Sequence, residues 1–167
     1  MTGAGQSPTV SVWPLVVLRG FFGIVYLANG LAKLTGVGSV AIGPWHTFLI
    51  NLGITQGILS HDAKSSIGVY HDFAFNVVLP NFSLFGPLIM LGEIAIGLGL
   101  LTGVLGRLAA LGGFLLALNV GVAAIGAGEW TFEYLIEIVP LACLVALHIP
   151  GLPLIPERWL ARIPLAT

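Results

Sequence analysis

Six Lys and Arg and seven Asp and Glu are all the charge this chain of 167 residues carries. Several of them fall where charge is costly. Arg19, Tyr26 and Lys33 recur every seventh residue, with Gly23 and Gly30 between them. A helix over this stretch carries all five on one face. Asn29 flanks that stripe. Glu93 lies inside a second apolar stretch and Asn119 inside a third, and Glu133 and Glu137 open a fourth, one helical turn apart. An ionisable group at bilayer depth demands a partner or a role. The chemistry that suits this set is hydrogen bonding and proton exchange with a lipid-soluble head group. A carbonyl on such a head group would accept from Arg19 or Tyr26, and Glu93 would relay protons. Lys33 and Asn29, toward the other end of their helix, would meet an incoming anion.

The elements that position these groups follow from composition. Hydrophobic residues make up 57%, charged residues 8%, the mean hydropathy is +1.03 and the net charge is −1. A soluble domain carries about 25% charged residues, so a water-soluble monomer is excluded. Disorder is excluded by the same figures, and nucleic-acid binding by the missing basic field. The single cysteine, Cys143, leaves no internal disulfide, CxxC redox pair or thiolate zinc site. A spanning helix needs roughly 20 apolar residues. Four stretches qualify, about 13–34, 84–105, 107–125 and 130–149. They do not alternate as barrel strands do. The expected fold is therefore all-α: one integral-membrane domain over 1–167, a four-helix bundle. Residues 35–82 form a long extracytoplasmic loop with short helices, and 150–167 a cytoplasmic tail. In the loop, Trp45 to Leu59 predicts an interfacial or re-entrant helix. Ser66 to Leu79 predicts another short helix, stopped by Pro80.

No Lys or Arg precedes Trp13, so the first stretch reads as a retained span rather than a signal peptide. Arg107 lies between the second and third spans, and Arg158 and Arg162 lie in the tail. The positive-inside rule places that side, with both termini, in the cytoplasm.

Depth by helix rise gives two polar layers. The deeper holds Arg19, Glu93 and Tyr26, with Arg19 and Glu93 as an ion pair. The outer holds Lys33, Asn29, Asn119, Glu133 and Glu137. Several have a plainer reading, though Glu137, which with Lys33 would place a charged pair inside the outer leaflet, is harder to dismiss. Arg19–Glu93 serves equally as interhelical glue. Glu133 suits the headgroup region, Tyr26 ordinary packing, and Asn119 a helix–helix hydrogen bond. His61-Asp62 and His71-Asp72, with His46, supply metal-ligand side chains, but no HxH, HxxxH or HExxH spacing occurs. No metal site is expected; the two dipeptides read as wet loop, with Asp62 as a helix cap. His148 reads as interfacial and Cys143 as inert.

The first span reads LRGFFGIVYLANGLAKL from Leu18 to Leu34, and the second with its turn GEIAIGLGLLTGVLGRLAAL from Gly92 to Leu111. The loop carries YHDFAFNVVLPNFSLFG from Tyr70 to Gly86. In order and type these resemble the DoxX family of four-helix membrane proteins, and the loop resembles its DoxD branch. That resemblance implies a bundle in the plasma membrane. It further implies the small subunit of a thiosulfate:quinone oxidoreductase, passing electrons from a sulfur compound to quinone beside a second, DoxA-like subunit. Arg19, Lys33, Glu93 and Arg107 match the family's charged positions. No tightly bound cofactor is expected, with quinone as electron acceptor. Two other functions compete: a non-catalytic anchor or assembly subunit of a larger complex, and a small transporter lined by the same charges.

Overall fold

The computed structural model describes residues 12–128, 130 and 132–147. The expectations for Glu129, His148, Arg158, Arg162 and the tail fall outside those residues.

Apolar composition builds three helices long enough to cross a membrane: α1 (Trp13–Thr35), α4 (Phe82–Thr102) and α5 (Gly106–Ala123). Between α1 and α4 come α2 (Leu52–Asp62) and α3 (Gly68–Phe73). Pro14 occupies the first turn of α1, where its missing N–H costs nothing. Gly36 and Gly103 close α1 and α4 with φ of +76° and +79°, conformations that favour glycine. Helices thus form over the first three expected stretches, with ends within a few residues of those expected.

The fourth is shorter than expected. α6 runs over Leu135–Ala146, 12 residues, or about 18 Å against a hydrocarbon core of about 30 Å. Phe132 to Tyr134 form turns rather than helix, and 148–149 of the expected span are not among the described residues. α1 packs along α4, α4 against α5, α5 against α6, and α6 returns to α1. Phe22, Tyr26, Ile96, Leu100, Ala110 and Leu141 form the core where they meet. Large apolar side chains such as Val17, Phe21, Ile24, Leu84 and Leu88 point outward, onto the surface lipid covers. The chain is a mostly helical membrane protein.

The loop corrects the all-α expectation. Trp45 begins no helix: Ser39–Ile42 and Trp45–Phe48 pair as an antiparallel hairpin, with Ile42 opposite Trp45 and Val40 opposite Thr47. β-branched and aromatic partners favour that pairing. Gly43 takes φ +61° at the first turn position, and Pro44 supplies its fixed φ at the second. Helix starts only at Leu52, where the Asn51 side chain caps the Ile54 N–H at 3.0 Å. The other loop expectation fares better. α3 continues into a π-helical turn over Ala74–Val78 and the helical run ends before Pro80.

Candidate functional site

α1 and α4 pack closely because glycines let their backbones meet. A Cβ on Gly97 would lie 2.6 Å from the Leu27 nitrogen, one on Gly30 2.9 Å from the Ile94 nitrogen, and one on Gly23 3.1 Å from the Leu101 nitrogen. The antiparallel register is therefore constant: residues 23, 27 and 30 of α1 face residues 101, 97 and 94 of α4. On that register Glu93 lies level with residue 31, within two residues of Lys33. Arg19 lies level with residue 105.

This overturns the Arg19–Glu93 pairing. The two sit 12 residues apart along α1, about 18 Å by helix rise, beyond any side chain's reach. Arg19 is buried beside the α4–α5 turn, its Nη1 3.9 Å from the position a Cβ of Gly106 would take. Glu93 pairs instead with Lys33. The ammonium lies 2.9 Å from Oε1 and 2.8 Å from Oε2, with the two side chains 1% and 11% exposed.

The loop completes the coordination of Lys33. Its ammonium also donates to the Ile50 carbonyl at 2.8 Å, while the Ile50 N–H donates to Asn29 Oδ1 at 3.2 Å. Both polar groups of one loop residue are thus held by side chains of α1. Asn51 adds a hydrogen bond to the Gly36 carbonyl at 3.2 Å. Glu137 of α6 faces both Glu93 and the Tyr26 hydroxyl, and that hydroxyl donates to the Gly113 carbonyl at 3.0 Å. Buried Lys33, Glu93 and Tyr26 with half-buried Asn29 and Glu137 thereby form one polar cluster, drawn from both expected layers. Asn119 stands apart from it, exposed, accepting from the Tyr70 hydroxyl at 2.9 Å. Glu133 is exposed in the turn before α6. Arg107 is exposed and donates from Nε to the Val145 carbonyl at 3.1 Å.

A cavity of about 810 Å³ lies along α4 and α5 under α2 and α3. On α4 it extends from Phe85 to Gly99, about 21 Å at the helix rise. Its wall is mainly aliphatic, with Lys33, Glu93, Asp62, Tyr70 and Asn119 as its polar and charged side chains and Thr55 as a hydroxyl. Leu88, Leu108 and Leu115 on this wall are 55%, 58% and 53% exposed, so the cavity opens toward lipid. Arg19, Tyr26, Asn29 and Glu137 do not line it.

Two of these polar residues, Asp62 and Tyr70, were not singled out as site residues from sequence. α2 packs against α4 and α5 and carries the Asp62 side chain to 2% exposure, while His61 beside it is 73% exposed. Their atoms Oδ1 and Nδ1 lie 3.0 Å apart. Burial, and then the Asp62 charge, hold the Tyr70 hydroxyl above its ordinary pKa. Among the described residues no three His, Cys, Asp or Glu side chains converge as a metal site would need.

Apolar helices, a buried charge pair and a cavity open to lipid define a multi-pass membrane protein with a polar interior site. Residues 53–151 match the family described as TQO small subunit DoxD. The match covers more than half of the sequence, and the chain belongs to the DoxD family. It takes in Glu93, Arg107, Asn119 and Glu137 and begins after α1. No curated protein and no solved structure gives a match.

Proposed function

We propose that this chain is the quinone-handling membrane subunit of a thiosulfate:quinone oxidoreductase-type complex. The observation that carries this reading is the cavity itself. A site of about 810 Å³ falls in the range of small-molecule pockets, roughly 300–1,000 Å³. Its length and aliphatic wall suit an isoprenoid tail, and its opening suits a ligand arriving from the bilayer. Lys33 has three N–H donors. Glu93 and the Ile50 carbonyl engage two of them, which leaves one for a head-group oxygen. Glu93 beside it holds that ammonium in place at the cavity wall. Asn29 fixes the loop that positions Lys33, while Tyr26 and Glu137 lie near Glu93 but off the cavity wall. Asn119 lies at the Tyr70 side of the cavity, and Arg19 anchors the end of α1 farther from the loop.

Electrons come from thiosulfate through a second, DoxA-like subunit. The chain sits in the plasma membrane as four spans with both termini cytoplasmic, the orientation set by Arg107, Arg158 and Arg162. The exposed rim also fits a transmembrane helix of a larger complex, which would make this chain an anchor. Gly92 separates the two: it lines the cavity, and a Cβ there meets nothing within 4 Å. Gly92→Leu should fill the cavity without moving a helix. Decylubiquinone binding, followed by tryptophan quenching in the purified chain, should weaken at least tenfold. Thiosulfate-dependent decylubiquinone reduction in membranes should fall in parallel. Equal binding by Gly92→Leu and the parent rejects the quinone reading. Loss of a co-purifying subunit with no quinone binding by either protein favours the anchor.

A further inference from the structure

A buried carboxylate normally has every oxygen satisfied. Asp62 does not. Its side chain is 2% exposed and lines the cavity, Oδ1 meets His61 Nδ1 at 3.0 Å, and no donor among the described residues reaches Oδ2. His61 is 73% exposed. One adjacent pair of residues therefore connects the outer surface of α2 to the inside of the cavity. Leaving a buried carboxylate oxygen unpaired is costly, and a neutral side chain of similar shape would fold better there.

We propose that His61 and Asp62 form the proton port of the cavity. This rests on the quinone reading given above. Water protonates His61 at Nε2, and the proton on Nδ1 passes to Asp62 Oδ1. The carboxyl turns about its Cβ–Cγ bond, and the reduced head-group oxygen takes the proton. The carboxylate is restored, and the imidazole is left neutral, to be reset by rotation of the ring. Two such transfers match two electrons. Those electrons leave two thiosulfate ions as a new S–S bond joins them, and quinone becomes quinol.

The other groups around this wall do not replace the pair. Tyr70 of α3 donates its proton to Asn119. Lys33 of α1 and Glu93 of α4 are closed on each other. α5 contributes the neutral Asn119, and the π-helical turn contributes only Val78.

The test uses the full chain in its native membranes and, for binding, the purified chain. Asp62→Asn should bind decylubiquinone within about twofold of the parent and unfold at the same or a higher temperature. Its thiosulfate-dependent decylubiquinone reduction should be at least tenfold slower. His61→Ala should be similarly slow and recover on addition of imidazole, a response that a merely structural residue does not give. Parent-like rates in either variant, or no recovery with imidazole, overturn the port while leaving the quinone reading intact. A parent chain that binds no decylubiquinone overturns both.

Discussion

Removing the Lys33 ammonium tests whether the buried ion pair organises the site. In Lys33→Met, the Glu93 carboxyl is left at 11% side-chain exposure with no cation beside it, and the Ile50 carbonyl loses its donor. Breaking a buried pair costs about 3–5 kcal/mol, and the orphaned carbonyl adds about 1 kcal/mol or more. Glu93→Leu leaves the ammonium still bonded to Ile50, so its cost belongs at the lower end, about 3 kcal/mol. Lys33→Met with Glu93→Leu removes both charges and strands only the Ile50 carbonyl, at about 1–3 kcal/mol. The double variant should therefore be more stable than either single, and the double-mutant cycle should return a coupling of at least about 3 kcal/mol. Reversible unfolding in mixed micelles, followed by helical circular dichroism, measures all four proteins. Single variants within about 1 kcal/mol of the parent, or a double variant equal to the sum of the singles, would falsify the claim that each charge is held in place by the other.

Three further expectations follow from the packing. Gly97→Ala pushes a methyl to 2.6 Å from the Leu27 nitrogen and should cost about 1–3 kcal/mol. Gly20→Ala, with nothing within 4 Å, should be neutral or gain up to about 1 kcal/mol; micelle unfolding of the two variants checks the contrast. Tyr26→Phe removes the donor to the Gly113 carbonyl and should lose about 0.5–1.5 kcal/mol in the same assay, with no loss counting against the bond. For Tyr70 the folded pKa is raised, by burial and then by Asp62. The folded state thus holds that proton more tightly than the unfolded chain does. Its contribution is complete below the unfolded value near 10 and declines as pH rises above it. Tyr70→Phe should accordingly lose less stability between pH 9 and 11 than the parent, and an equal loss contradicts the assignment.

Helix locations were legible because a membrane span needs length and apolarity, and both are visible in one sequence. Helix register was not. Whether Arg19 or Lys33 meets Glu93 depends on where α1 and α4 cross, and Gly23, Gly30 and Gly97 decide that through backbone contact. Those glycines signalled close approach without revealing which faced which residue. The hairpin escaped for a related reason. Trp45 to Leu59 looked like one apolar helix, whereas Gly43-Pro44 turns the chain so that Trp45 pairs with Ile42. His61-Asp62 looked wet because loop carboxylates usually are. Burial of Asp62 comes from α2 resting on α4 and α5, a long-range packing event that no local pattern records.

The same ammonium that neutralises Glu93 also holds the loop. Lys33 bonds to Glu93 and to Ile50, Asn29 bonds to the other side of Ile50, and α2 begins two residues later. α2 in turn carries Asp62 to the cavity wall. The polar cluster and the cavity roof are thus connected through one backbone segment, with no flexible linker between Ile50 and Leu52. A group that draws Lys33 toward itself must weaken a contact with Glu93 or with Ile50. Substitution at Lys33 should consequently disturb α2 as well as α4. Hydrogen exchange at the Thr55 and Ile58 amides should quicken in Lys33→Met and stay slow in Tyr26→Phe, whose hydroxyl contacts α5 rather than the loop. Faster exchange in both variants would mean that the loop responds to general loosening of the helices and not to Lys33.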